Sequence, residues 1–268
     1  MPDLWILQGT ARGRACRLQL DHPHIGLIED HNMPVRIAID AMGGDHAPEV
    51  VVEGAIAATA RFPDDLTVIL VGREEEIREF LPESEDDALP EGIEIVHADQ
   101  VIEMGESPST ALKTKPNSSI HVGLGLLAKG EASSFVSVGN TGAVMAASIF
   151  VPGRIEGVLR PSIASYYPTS ENFCIVLDVG ANTECKPEHL VQFAKMGRVY
   201  IERVHQRDNP TVGLMNIGEE SSKGNELVKE AYKLLEAEKD LNFIGNIEGR
   251  DLMAHGADLV ICDGFVGN

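Results

Sequence analysis

Aromatic residues are scarce in this 268-residue chain: Phe, Tyr and Trp make up 5%, with a single Trp. The hydrophobic content of 43% therefore rests on aliphatic residues, which suits an α/β core better than a β-sandwich. Cysteine is sparse too. Cys16, Cys174, Cys185 and Cys262 show no CxxC spacing and read as reduced thiols of a cytosolic protein. Cys174 and Cys262 fall in apolar runs. Cys185 lies in a polar loop, where a catalytic thiol is the minority reading. No apolar run approaches the ~18 residues of a membrane span. Basic residues are outnumbered, 22 Lys and Arg against 42 Asp and Glu, a formal charge of −20. That balance argues against nucleic acid as the main partner and against broad adhesion to an anionic membrane, leaving only local patches. The histidines form no HExxH motif and no GxGxxG follows the first strand, so neither a metal nor a cofactor is expected.

What the chain has in abundance is one repeated pattern. Seven short apolar runs, beginning at Ile37, Val68, Phe135, Ile175, Val212, Phe243 and Leu259, each break off into a loop of Gly, Asp and Asn. Helical segments alternate with them. Pro48 is placed as the first residue of a helix to Arg61, Ser118 caps a helix ending at Gly130, Pro187 opens a long helix to Gln206, and Gly224 or Asn225 opens another. This alternation predicts an α/β fold, a mostly parallel sheet flanked by helices in a Rossmann-like three-layer sandwich. Ligands of such sheets bind beyond the carboxyl ends of the strands. Small hydrogen-bonding residues repeated at that edge build a site from backbone amides, which suits an anion such as phosphate.

Length allows one large α/β domain or two small ones. Residues 1–32 lack sustained periodicity and are expected to be a disordered or non-native leader, with the folded chain, 33–268, starting near Met33. The sequence stops at Asn268, after a strand and its Gly-rich loop, where a helix is expected to follow. The domain is therefore read as truncated at its C-terminus.

Six loops carry the candidate chemistry. After the first strand, Asp40, Gly43, Gly44 and Asp45 combine a sharp turn with two carboxylates able to orient amides. Gly139, Asn140, Thr141 and Gly142 form the sharpest strand-to-helix turn, with amides of 140–143 and the side chains of Asn140 and Thr141 as anion donors. Lys113, Lys115, Ser118 and Ser119 bring two ammonium groups and two hydroxyls to a helix start. Asp178, Asn182 and Lys186 follow another buried strand, where an Asp is costly without partners. Asn216, Asp263 and Asn268 are further rim residues. Gly123 and Gly125 sit within a helical pattern and are read as helix-packing glycines.

With these residues in view the chain resembles the bacterial phosphate acyltransferase (PlsX) family. The resemblance covers Val35 to Asn268 through IAIDAMGGDHAPE, VSVGNTGAVMAA, LDVGAN, KPEHL, GLMNIGEESSKGNEL, NFIGNIEGRDL and DGFVGN. It implies an enzyme making acyl phosphate and free acyl carrier protein (ACP) from an acyl-ACP thioester and inorganic phosphate, for phospholipid synthesis. It also implies a fold like that of phosphate acetyltransferases and isocitrate-type dehydrogenases, and a cytoplasmic homodimer in peripheral contact with the membrane. Phosphate needs no Ser or Cys nucleophile, so the protein's task is to hold the anion beside the thioester and stabilise the oxyanion. Phosphate binding falls to Lys113, Lys115, Ser118 and Ser119. Amides of 139–143 and Asn140 serve phosphate or oxyanion, Asp40, Asp178 and Asn182 orient them, and Lys186 is a second cation. Arg154, Arg160, Lys195, Arg198, Arg203 and Arg207, the last four on one helix, are candidates for docking acidic ACP. The alternatives are a CoA-dependent phosphate acetyltransferase and a non-catalytic protein binding a phosphorylated metabolite.

Overall fold

The computed structural model describes residues 34–268 apart from 85 and 87; the expected leader lies outside them. The chain forms two compact units, dividing between Arg154 and Ile155, each with its own sheet.

The N-terminal unit runs β1 (Val35–Asp40), α1 (Glu49–Arg61), β2 (Leu66–Gly72), α2 (Glu74–Arg78), β3 (Ile93–His97), α3 (Pro108–Thr114), α4 (Ser119–Ala128), β4 (Ser134–Val136) and α5 (Thr141–Phe150). Its four strands are parallel, in the order β3-β2-β1-β4. Successive side chains of a strand point to opposite faces, and β2 shows it. Ile69 and Val71 join a core with Ala111, Leu124 and Ala143 of α3, α4 and α5, whereas Val68 and Leu70 pack with Val52, Ala55 and Ile77 of α1 and α2. Helices therefore cover both faces, giving three layers, and β2 reads as a continuous apolar run because both its faces are buried.

The C-terminal unit runs β5 (Ala164–Pro168), β6 (Phe173–Leu177), α6 (Pro187–Val204), β7 (Thr211–Met215), α7 (Glu226–Ala237), β8 (Asn242–Ile247), β9 (Leu259–Ile261) and the short α8 (Gly264–Gly267). The strand order is β5-β6-β9-β7-β8, parallel except for β5, which runs antiparallel to β6. One face packs Ile175, Leu177, Leu214 and Leu259 against Leu190, Phe193 and Ile201 of α6 and Ala231 and Leu235 of α7.

All seven apolar runs are strands, and β3 and β5 add to them. Several helix ends are adjusted. Pro48 is the N-cap of α1 rather than its first residue. Ser118 caps α4 as expected, accepting the His121 N–H at 3.3 Å. At its other end Gly130, at φ +75°, closes a Schellman motif through Glu131 N–H to Leu126 C=O. Helix α6 ends at Val204, and Gln206 stands at φ +53°. Arg207 is therefore off the helix on which it was expected, and it pairs with Asp258. Gly123 is a packing glycine, since a Cβ there would lie 2.3 Å from the Phe135 ring; Gly125 meets open space.

Candidate functional site

In the N-terminal unit one buried carboxylate laces two loops together. Asp40, at the end of β1, is 2% exposed. It accepts the Met42 N–H at 3.2 Å and the Ser137 hydroxyl at 2.7 Å, and the Ser119 hydroxyl as well. Ser137 in turn accepts the Gly139 N–H at 3.0 Å. Burial pushes the Asp40 carboxyl above its usual range, against the pull of the Ser119 and Ser137 hydroxyls and the Met42 N–H. The crossing leaves no room for side chains. A Cβ on Gly43 would stand 2.6 Å from Asp40 Oδ2 and 2.8 Å from the Gly139 nitrogen. Gly44 has φ +97°, and Asp45 beyond it is exposed.

Asn140 caps α5. Its Oδ1 accepts the Ala143 N–H at 3.0 Å, and its Nδ2 donates to the carbonyls of Glu103, Met104 and Glu106 at 3.1, 3.1 and 3.0 Å. The side chain expected to meet phosphate or oxyanion thus has both its hydrogens committed, and it clasps the 103–106 loop instead. What the turn does offer is the N–H groups of Thr141 and Gly142, which no described group accepts, with the positive end of the α5 dipole behind them.

In the stretch 113–119 most side chains are likewise engaged within the fold. Lys115 donates to the Val101 carbonyl at 2.6 Å and pairs with Glu106. That pairing, with the Glu103 N–H, holds the Glu106 carboxyl below its usual range. Ser118 and Ser119 are fully buried, the first as the α4 cap and the second turned to Asp40. Their hydroxyls serve the fold. Lys113, in the last turn of α3, is exposed, with no partner among the described residues.

The C-terminal unit repeats the device. Asp178, after β6, is 0% exposed. One oxygen accepts the N–H groups of Ile163 at 2.9 Å and Ala181 at 3.3 Å, and the other accepts the Asn182 N–H at 2.6 Å and its Nδ2 at 2.8 Å. Asn182 also donates to the Pro161 carbonyl at 2.8 Å, and its own carbonyl accepts the Gly264 N–H at 2.8 Å. Asp178 and Asn182 are therefore organisers of the 161–163, 178–182 and 263–264 segments. Asp263 caps α8 through the Phe265 and Val266 N–H groups. Asn268 lies against Gly180, and Asn216 holds its loop through the Ile217 N–H and the Lys223 carbonyl. Lys186, N-cap of α6, is exposed, and its ammonium has no partner among the described residues.

The sulfur chemistry is quiet. Burial, with the charges of Asp178 and Asp263, pushes the Cys185 thiol up to about 11, so it is protonated at neutral pH and unsuited to nucleophilic attack. Among the described residues no cluster of His, Cys, Asp or Glu could hold a metal ion, and no helix is long and apolar enough to cross a membrane. The basic patch is largely neutralised, with Lys195 paired to Glu238, Arg198 to Glu202 and Asp240, and Arg207 to Asp258. Sequence reading missed Ser137 and Glu106, the two side chains that lock these loops, and His189, buried in the first turn of α6. Ser137, beside Gly139, carried a local signal; Glu106 carried none.

A family model described as fatty acid synthesis protein matches residues 35–268. A protein of Salinibacter ruber named phosphate acyltransferase is 56% identical over 233 residues, 87% of this chain and 69% of that one. One of Desulfitobacterium hafniense with the same name is 51% identical over 235 residues, 87% of this chain and 68% of its own. Among solved structures, a phosphotransacetylase from Streptococcus pyogenes aligns with a TM-score of 0.62 at 16% identity, over 88% of this chain and 79% of that chain. The EutD phosphotransacetylase from Staphylococcus aureus aligns at 0.60 and 20%, over 88% and 80%. At those identities the structural likeness is one of fold.

Proposed function

The chain belongs to the fatty acid synthesis protein family and is an acyltransferase, and on that premise we propose that it moves a fatty acyl group from an ACP thioester to inorganic phosphate for phospholipid synthesis. A phosphate oxygen attacks the thioester carbonyl, the tetrahedral oxyanion collapses, and the C–S bond breaks. The carrier leaves as a thiol, taking the proton that phosphate gives up. No protein nucleophile enters, in keeping with the protonated Cys185.

The observation that carries the assignment of groups is the pair of buried carboxylates, Asp40 and Asp178, each organising a loop at the carboxyl end of its sheet. In this reading Lys113 and the Thr141 and Gly142 amides are the anion donors of the N-terminal unit, taken by itself. Asp40, Gly43, Gly139, Ser118, Ser119, Asn140 and the Lys115–Glu106 pair hold those donors in place. Within the C-terminal unit, Lys186 is the cation that follows the loop organised by Asp178 and Asn182, with Asn216, Asp263 and Asn268 on the loops after its other strands. Preorganised donors of this kind typically contribute ~3 kcal/mol each to an acyl-transfer barrier. A cytoplasmic homodimer in peripheral contact with the membrane belongs to the same proposal and rests on the family resemblance.

The test is to incubate the chain with a long-chain acyl-ACP, with and without phosphate, and follow the free carrier thiol. Phosphate-dependent release is expected. Release that ignores phosphate would mark a thioesterase and overturn the reading. An acyl-CoA used as well as acyl-ACP would favour the CoA-dependent alternative.

A further inference from the structure

Most cations of the described chain are tied to carboxylates, as befits a charge of −20. Two in the C-terminal unit, one just before β5 and one after β6, are not. Arg160 and Lys186 are exposed, and no described carboxylate pairs with either. The fold nevertheless ties both segments to the same loop, 178–182. The Pro161 carbonyl is held by Asn182 Nδ2 at 2.8 Å and the Ile163 N–H by Asp178 at 2.9 Å, which fixes the Arg160 segment against the 178–182 loop. Lys186 stands four residues beyond Asn182, at the start of the 18-residue α6.

His189, in the first turn of α6, is 7% exposed. Its Nδ1 accepts the Lys186 N–H at 3.1 Å, so the neutral ring carries its hydrogen on Nε2, and no described group accepts that hydrogen. Burial, then the charges of Arg160 and Lys186, hold the imidazole below its usual pKa, with Glu188 acting in the opposite sense. The ring is thus a neutral donor within reach of both charges. Beside Arg160, the Ser162 hydroxyl is shielded from solvent and also lacks a partner.

We infer that Arg160, Lys186 and the Nε2–H of His189 form a clamp for a phosphate group. A guanidinium fork, a point charge and a neutral N–H match three oxygens of one tetrahedral anion. Arg160 thereby moves from a surface for docking the carrier to a ligand of the substrate. The clamp rests on the acyltransferase reading for its source of phosphate. That source is either free inorganic phosphate or the phosphodiester of the carrier's prosthetic arm.

Inorganic phosphate is titrated calorimetrically into wild type, Arg160→Gln and Lys186→Gln, and KM is measured separately for phosphate and acyl-ACP. Far-UV circular dichroism melts confirm that each variant folds, and Arg160→Lys serves as the milder variant. Charge-assisted hydrogen bonds of this kind imply weakening on the order of ten- to a hundredfold. If free phosphate is the ligand, its Kd and KM rise by that factor in Arg160→Gln while KM for acyl-ACP stays put. If the carrier's phosphodiester is the ligand, KM for acyl-ACP rises instead, and a thioester on pantetheine lacking the phosphate is used equally by wild type and variant. Kd and both KM values within twofold of wild type would overturn the clamp. Should wild type show no phosphate-dependent transfer, the acyltransferase reading falls by itself, and the titration still decides the clamp: binding lost in Arg160→Gln supports it, and equal or absent binding in both proteins overturns it.

Discussion

Replacing Asn140 with alanine removes one acceptor and two donor hydrogens in a single step. The cap on Ala143 is worth about 1 kcal/mol. The two amide hydrogens, shared among the carbonyls of Glu103, Met104 and Glu106, add about 1 kcal/mol each, so the loss is about 3 kcal/mol. For a chain of this size that lowers the melting midpoint by about 6–12 °C. The released 103–106 loop also becomes the first site of cleavage in limited proteolysis. Asn140→Asp sharpens the test, because it keeps the cap but turns a carboxylate toward three carbonyl oxygens. Its midpoint falls despite the favourable charge at a helix start. The assay is a calorimetric melt of both variants beside their turnover. An alanine variant melting within about 2 °C of wild type yet crippled in turnover would refute the clasp and return Asn140 to the reacting atoms.

The two glycines of α4 part company on substitution. Gly123→Ala drives a methyl into Phe135 and costs about 1–3 kcal/mol, whereas Gly125→Ala, facing open space, gains up to about 1 kcal/mol of helix propensity; equal melts would contradict this packing. Cys185→Ser keeps wild-type turnover, and alkylation of Cys185 by iodoacetamide is slow at pH 7 and accelerates as pH rises toward about 11; rapid alkylation at pH 7 would show a thiolate the structure does not support. Arg36 grips Glu94 through two 2.7 Å hydrogen bonds, and this guanidinium holds the Glu94 carboxyl below 4.5. The pair's contribution, at most about 1 kcal/mol, is present above that value and lost as pH falls through the lowered one. The stability gap between wild type and Glu94→Gln therefore exists at pH 7 and closes in acid; a gap that persists in acid would point to packing rather than charge.

The architecture was legible where burial on both faces writes an uninterrupted apolar run, as in Val68–Val71 and Leu259–Ile261. It was not legible at the edges. β3 alternates Ile93 and Ile95 with Glu94, and β5 is built on the exposed Tyr166 and Tyr167, so neither declares itself by hydrophobicity. The site loops were found by their glycines, carboxylates and amides, but the occupation of each side chain was not. Asp40 meets Ser137 from 97 positions away, and Asn140 meets its three carbonyls across 34 to 37 positions. A local pattern says which groups can donate; only the fold says which have already done so. Lys115 and Lys113 are two residues apart, and one is spent on Glu106 while the other has no partner among the described residues.

The strand order β5-β6-β9-β7-β8 also bears on how the chain acquires its shape during synthesis. β5 and β6 zip locally across a short turn, and β7 and β8 are joined through one helix, so each pair can form soon after its residues emerge. The strand that unites the pairs, Leu259–Ile261, is the last of the five to be made, and it inserts in the middle, Leu177 meeting Ile261 on one side and Leu214 on the other. Until then β6 and β7 present bare backbone edges flanked by apolar side chains, the surface on which other nascent chains pair. A ribosome-stalled fragment ending before Leu259 should bind a holdase chaperone and resist refolding, and one carrying Cys262 beyond the ribosome tunnel should let go of it.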